Sequence, residues 1–310
     1  MLNLLPADIL EEVFGYLSPE DLLNVTLTCK PLNEVISYSN KLLKNFVVLF
    51  SITKERRKWI GSRNYSNVRL ATPKLKQFFS FLEASGKYLR FLSIDRYYYY
   101  EYNVLSIEQN DLIKILSGCP NLKELIIECR FTKGSTQCMM MPLPELKLDE
   151  LSILGYVGDG YALEALEKCS VKKFEIPSYY FTTHNEIRKF ICNQTELKEL
   201  TGSANILARF ADDNLKFQLK HLKVAHVFSY NFFDFGNFLV KFKDSLESVE
   251  MYYIADETWK LLNNFPKLQK ISTNNVSPIF TKTKNIKSLA ANSSRDYSGQ
   301  FPFLKELTIN

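Results

Sequence analysis

"GCPNLKELIIEC", residues 118–129, places Leu122, Leu125 and Ile127 at intervals of three and two residues. An interval of two is that of a strand, whose side chains alternate between its faces. Leu125 and Ile127 therefore share one face, and Glu124, Ile126 and Glu128 share the other. The same apolar-x-x-apolar-x-apolar spacing returns at Leu89/Leu92/Ile94, Leu148/Leu151/Ile153, Val171/Phe174/Ile176 and Leu219/Leu222/Val224. It returns again at Leu246/Val249/Met251 and Leu304/Leu307/Ile309, with weaker copies opening at Leu43, Tyr65, Leu197, Leu268 and Ile286.

These starts lie about 24 residues apart on average, inside the 20–29 range of leucine-rich repeats. The chain between copies carries helical stripes. "IEQNDLIKILSGC" (107–119) puts Leu112, Ile115 and Leu116 on one face, and "DFGNFLVKFKD" (234–244) and "DETWKLLNNF" (256–265) read alike. One such unit cannot bury its own apolar surface, so stacking on neighbours is obligatory. The expected fold class is α/β: a curved solenoid over 43–310, with about 12 irregular repeats and a parallel sheet on its concave side. Irregularity is expected at the long step from 89 to 122, which contains "RYYYYEYN" (96–103), and at the last two steps of 18 residues, too short for a helical return. The final copy stops at Ile309-Asn310 with no polar cap, so its edge is expected to be covered or the chain to continue.

Ahead of the repeats, "LLPADILEEVFGYLSPEDLL" (4–23) reads as two short amphipathic helices. Pro6 suits a first helical turn, and Ile9, Leu10, Val13, Phe14 and Leu17 form one wide apolar face. Ser18 is the expected N-cap of the second helix, with Pro19 at its first position. Leu22, Leu23, Val25 and Leu27 carry that helix, and residues 31–36 close a three-helix domain over 1–42. Its apolar content exceeds what three short helices hide. Pattern alone leaves two covers open: the first repeats, through Leu43 and Phe46, or a second protein.

The run from Leu5 to Ile36 resembles an F-box over its whole length. Leu5-Pro6, Asp8-Ile9-Leu10, Val13-Phe14, Tyr16-Leu17, Asp21-Leu22-Leu23, Leu27 and Cys29-Lys30 fall in that motif's order; the departure is Leu32, where the family usually carries an aromatic ring. "GCPNLKELIIEC", "FPKLQKI" (265–271) and "FPFLKEL" (301–307) are similar to the leucine-rich repeats of F-box proteins. The usual Asn or Cys at the ninth repeat position is replaced by Arg130, Tyr97, Tyr156 and Tyr179, with Asn205 alone matching. The resemblance implies docking on a Skp-type adaptor, and through it on a cullin–RING ubiquitin ligase. Leu5, Pro6, Ile9, Leu10, Val13, Leu22 and Leu23 are the expected adaptor-facing residues, some of them doubling as internal core. The chain is then a substrate receptor that brings a client protein to the ligase for ubiquitination and proteasomal degradation. A repeat scaffold acting without a ligase is the alternative, and a small-molecule sensor a further rival.

The remaining residues narrow the field. The net charge is only +5, from 39 basic and 34 acidic side chains, so no general attraction to nucleic acid or membrane follows. Six cysteines (29, 119, 129, 138, 169 and 192) form no CxxC pair and read as reduced thiols. His221 and His226 flank one strand without a third ligand, and "GYVGDGY" (155–161) reads as a turn rather than a dinucleotide loop. No catalytic constellation, metal site or cofactor site is evident, and the chain is not expected to be an enzyme. The early residues carry no basic flank and meet Asp8, Glu11 and Glu12 at once, which reads as no export signal. The expected location is cytoplasm and/or nucleus. Strand positions three, five and seven should face the concave side. There they place Asp95, Glu124, Glu128, Glu150, Glu175 and Glu199 against Lys173, followed by His221, Lys223, Glu250, Tyr252, Lys270, Asn274 and Glu306. An acidic central strip favouring a basic client segment is the expectation, unless Lys123, Lys172 and Lys198 neutralise it.

Overall fold

Ser18 and Pro19 set the N-terminal helices as the sequence predicts. In the computed structural model, which describes residues 5–43, 46–51, 63–72, 75–95, 106–133, 142–154, 161–176, 184–225, 232–274, 286–291 and 305–309, α1 (Ala7–Phe14) follows Pro6. Helix α2 (Pro19–Thr26) starts at the Ser18 cap. The Ser18 hydroxyl accepts the Asp21 N–H at 3.1 Å and donates to the Asp21 carboxylate at 2.7 Å, satisfying a donor with no partner inside the helix. Helices α3 (Lys30–Tyr38) and α4 (Asn40–Leu43) complete the group. Leu10, Phe14, Leu22, Leu32 and Ile36 are buried among them.

The chain forms two compact units, Met1–Leu148 with Gly155–Cys169, and Asp149–Leu154 with Ser170–Asn310. In the first, β1 (Val47–Ser51), β2 (Asn67–Ala71), β3 (Phe91–Ile94) and β5 (Glu124–Ile127) pair in parallel and in chain order. The register is strict: Val47 lies opposite Asn67, Asn67 opposite Phe91, and Phe91 opposite Glu124. Hence the fourth and sixth repeat positions align, and Val68, Leu70, Leu92, Ile94, Leu125 and Ile127 are all buried. They meet α5 (Leu75–Ser85) and α6 (Gln109–Ser117), which also bury their apolar stripes. Phe50 sits edge-on to Phe78 and Phe81, with centroids 5.1 and 5.3 Å away, an arrangement that ring quadrupoles favour.

The long step from 89 to 122 holds an element that the spacing did not announce. Strands β4 (Ser106–Glu108) and β6 (Arg130–Thr132) form a separate two-stranded parallel sheet. Ile107 and Phe131 are its buried members. Helix α7 (Tyr161–Ala165) also belongs to this unit.

Strand β7 (Lys147–Ile153) gives its first two residues to the first unit and the rest to the second. In the second unit it is followed in the sheet by β8 (Ser170–Glu175), β9 (Glu199–Gly202), β10 (His221–Val224), β11 (Ser248–Met251), β12 (Lys270–Thr273), β13 (Ser288–Ala291) and β14 (Glu306–Ile309). Lys173, Glu199, His221, Ser248, Lys270, Ser288 and Glu306 lie in one register row. Helices α8 (His184–Asn193), α9 (Ala204–Ala208), α10 (Phe232–Val240) and α11 (Asp256–Leu262) return the chain. Phe174 meets Phe190, and Phe242 meets both Phe217 and Phe238. Among the described residues the main sheet has twelve strands. The tyrosine run, most of "GYVGDGY", Tyr97, Tyr156, Tyr179 and the short final connections lie outside the described residues. Asn205 is an exposed residue of α9.

Where the helical group meets the first repeat, Arg63 is 2% exposed. Its Nη2 donates to the Asn33 side-chain oxygen at 3.3 Å, whereas Nε and Nη1 have no hydrogen-bond partner among the described residues. The Asn64 N–H donates to the Ser37 carbonyl beside it. The five described cysteines are free thiols. Burial pushes the Cys119 thiol up to about 12 and that of Cys169 to about 11, and it also raises Cys129.

Two outcomes follow from this packing. A methyl group at Gly86 would press into the Gly118 carbonyl oxygen, a backbone atom that cannot swing aside. Gly86→Ala should therefore cost about 1–3 kcal/mol in urea unfolding. In mass-spectrometric mapping after iodoacetamide at pH 8, native Cys119, Cys129 and Cys169 should stay unmodified, because thiolates are the reactive form. The half-exposed Cys29 should label first.

Candidate protein-interaction surfaces

The apolar face of α1 resolves into two stripes. Leu10, 3% exposed, and Phe14 turn inward one helical turn apart. Ile9 and Val13, 45% and 44% exposed, form a second stripe beside them on the outside. Leu5 and Leu23 are partly exposed and Pro6 is exposed, while Tyr16 and Leu27 stand almost free of the fold. Among the expected adaptor-facing residues, Leu10 and Leu22 are buried and so take the internal-core role that the reading allowed for some of them. Leu5, Pro6, Ile9, Val13 and Leu23 lie at the surface. Tyr16 and Leu27 lie outside the expected set, although each is a large apolar residue just past the end of a helix. Lys41 pairs with Glu12, tying α4 to α1.

Leu32 is buried. At this position it fills the helical core directly, so an aromatic ring is not needed to close it.

The second surface is the polar face of the strands. In the first unit, Arg69 binds Asp95 at 2.5 Å, and Asp95 also accepts from Ser93. Glu124 is exposed and Glu128 half-buried; neither has an ion-pair partner among the described residues. In the second unit Lys173 binds Glu150 at 2.9 Å, and this hydrogen bond raises the lysine pKa. Glu175 accepts from Ser152 at 3.1 Å, and Lys223 binds Glu250 at 2.7 Å. Glu199 lies next to Lys173 in register. His221 Nδ1 is 2.7 Å from the Ser248 hydroxyl. Tyr252 is exposed beside Tyr253.

A uniformly acidic strip is therefore not what forms. The expected neutralisers act elsewhere: Lys123 donates to the Lys147 carbonyl and Lys172 binds Asp149. Compensation comes instead from within the face, through Arg69, Lys173 and Lys223. Sequence order hides this, because partners one strand apart are 23 to 27 residues away in the chain.

Among the described residues, no group of three or more His, Cys, Asp or Glu side chains is placed to hold a metal ion, and no helix is long and apolar enough to cross a membrane. A solvent-open hollow of about 430 Å³ in the second unit is lined by Asp212, Asp213, Asn214, Gln218 and Lys241. Two of its charged residues interact with neighbours: Arg188 holds one oxygen of the Asp213 carboxylate, and Lys241 donates to the Asp213 carbonyl at 2.8 Å.

The two stripes of α1 separate by mutation. Leu10→Ala and Leu22→Ala should each destabilise the protein by about 2–5 kcal/mol, since they open cavities. Ile9→Ser with Val13→Ser should shift the same urea curve by no more than about 1 kcal/mol, the side chains being already half in water.

Comparison with known proteins bears on the helical surface. The F-box-like family profile matches residues 2–47. Among solved structures, the chain is similar to a TLR13–ssRNA13 complex, with 14% identity and a TM-score of 0.40 over 87% of this chain and 50% of that one. A protein from Bacteroides fragilis gives 11% identity and a TM-score of 0.42, covering 86% of this chain and 74% of that one. The complex of Rad7 and Elc1 in yeast gives 12% and 0.34, covering 97% and 92%. The chain thus spans about half the length of the first of these and most of the other two. No curated protein matches it significantly. Residues 2–47 are thus similar to an F-box-like domain, which in this chain precedes a parallel α/β array.

Proposed function

We propose that this chain is the substrate-recognition subunit of an SCF-type ubiquitin ligase, acting in the cytoplasm and/or nucleus. The observation that carries the reading is the outer stripe of the F-box-like domain. Leu5, Ile9, Val13 and Leu23 are held half in water by helices whose core is already filled. Burying such side chains gains about 1.5–3 kcal/mol each when complete. A Skp-type adaptor is the partner that an F-box implies, and it links the chain to a cullin–RING ligase. The strand face would hold the client protein. Catalysis then needs no residue of this chain: holding client and conjugating enzyme together raises their effective concentration.

The test is capture from extract. The tagged chain should co-purify a Skp-type adaptor and a cullin, and Ile9→Asp with Val13→Asp should abolish both while leaving the circular-dichroism melt in place. A folded parent chain that captures neither would overturn the reading and leave a repeat scaffold that works without a ligase, whereas undiminished capture by the variant would move the contact off this stripe.

A further inference from the structure

We propose that the strand face of the first unit docks an extended client segment of the pattern basic-x-aliphatic-x-basic, with its cations on Glu124 and Glu128 and its aliphatic side chain on Ile126. The inference rests on the receptor reading above and specifies what the receptor takes.

Charge compensation separates these two carboxylates from the others of the polar face. Asp95 has Arg69, Glu150 has Lys173 and Glu250 has Lys223, while Glu175 accepts from Ser152. Glu124 and Glu128 have no such partner among the described residues, although both belong to a strand edge laid down in strict register. The Glu128 N–H continues the ladder to the Ile94 carbonyl at 2.8 Å, so its side chain keeps the alternation of Glu124 and Ile126.

The residue between the carboxylates is apolar: Ile126 is half-buried and lies opposite Ser93, Phe91 opposite Glu124 is half-buried as well, and farther along the face Val47 and Leu49 are 55% and 42% exposed. A purely electrostatic patch would not place an isoleucine at its centre. Water-exposed aliphatic surface framed by anions fits a partner that is apolar in the middle and cationic at both sides.

Geometry then selects the conformation of the partner. Residues 124, 126 and 128 are spaced by about 6.6 Å along the strand, at about 3.3 Å per residue. An extended segment has the same repeat, so its residues i, i+2 and i+4 face all three positions together. On a helix, residues four apart rise only about 6 Å, less than half the separation of the two carboxylates. Arg69, a cation of the same unit's face, lies two strands away from β5, at about 9.5 Å. That is near a Debye length at physiological salt, and its own charge is met by Asp95.

Fluorescence anisotropy on the full-length chain tests this with three labelled peptides in about 50 mM salt, chosen so that exposed charges are weakly screened. One is built around Lys-Thr-Val-Thr-Lys, the second around Lys-Lys-Val-Thr-Thr with the same composition, and the third replaces both lysines of the first by glutamate. The first should bind about two- to fivefold more tightly than the second, which keeps its lysine at i but loses the one at i+4, as expected for one exposed ion pair. Glu124→Gln with Glu128→Gln should erase that difference, whereas Glu150→Gln should leave it unchanged. Should the double variant melt early, each single change is read alone and should remove part of the preference. Equal binding of the two lysine peptides, or a preference untouched by the glutamine variants, overturns the proposal, as does tighter binding of the glutamate peptide. Adaptor capture is measured on the same preparations. Capture without peptide preference sinks the docking surface alone; peptide preference without capture sinks the ligase reading alone.

Discussion

A four-residue strand can satisfy its backbone only on a neighbour of the same kind, and that constraint governs both units. At the second repeat position the N–H of one copy donates to the carbonyl of the preceding copy. Lys123 donates to Arg90, Lys198 to Lys172, Lys220 to Lys198, Glu247 to Lys220, Gln269 to Glu247, Lys287 to Gln269 and Lys305 to Lys287, all at 2.8–2.9 Å. This entry bond sets each strand before its ladder begins. A slip of one residue would turn every leucine outward. Because no slip occurs, the sixth position can be glycine in β9 and threonine in β12 and still fall inside. The rows of the polar face exist for the same reason, since residues far apart in sequence reach the same height on adjacent strands.

The helical domain solves a different problem. It has too little chain for one broad core, so its longest stripe is divided. One row, Leu10 and Phe14, closes the domain; the row beside it, Ile9 and Val13, is left over. Burial and exposure thereby fall to adjacent side chains on the same two turns of α1, so substitutions in one row open the core and those in the other change the surface.

Most of the architecture was legible because period-two and three-four spacings each belong to one element type. The starts at 65, 89, 122, 197, 219, 246 and 268 each lie two residues before their strand, and three helices named from their stripes appear where their stripes lie. What escaped was whatever depends on a neighbour. Nothing local in Ser106–Glu108 says that Arg130–Thr132 will pair with it. Leu10 and Ile9 are equally apolar, so pattern could not tell the buried row from the exposed one. The carboxylates of the strand face read as one acidic strip because their partners, Lys173, Lys223 and Arg69, are adjacent across strands and not along the chain.

Arg63 has a consequence for how the first unit comes apart. A guanidinium shut away from solvent with two nitrogens unsatisfied loses hydration that its single bond to Asn33 does not replace. Any opening between α3 and the start of the first repeats returns that hydration, and so recovers part of what the closed form lacks. The junction is thus a built-in fault line, at which water regains hydrogen bonds with the guanidinium whenever the helical domain lifts away from the start of the repeats.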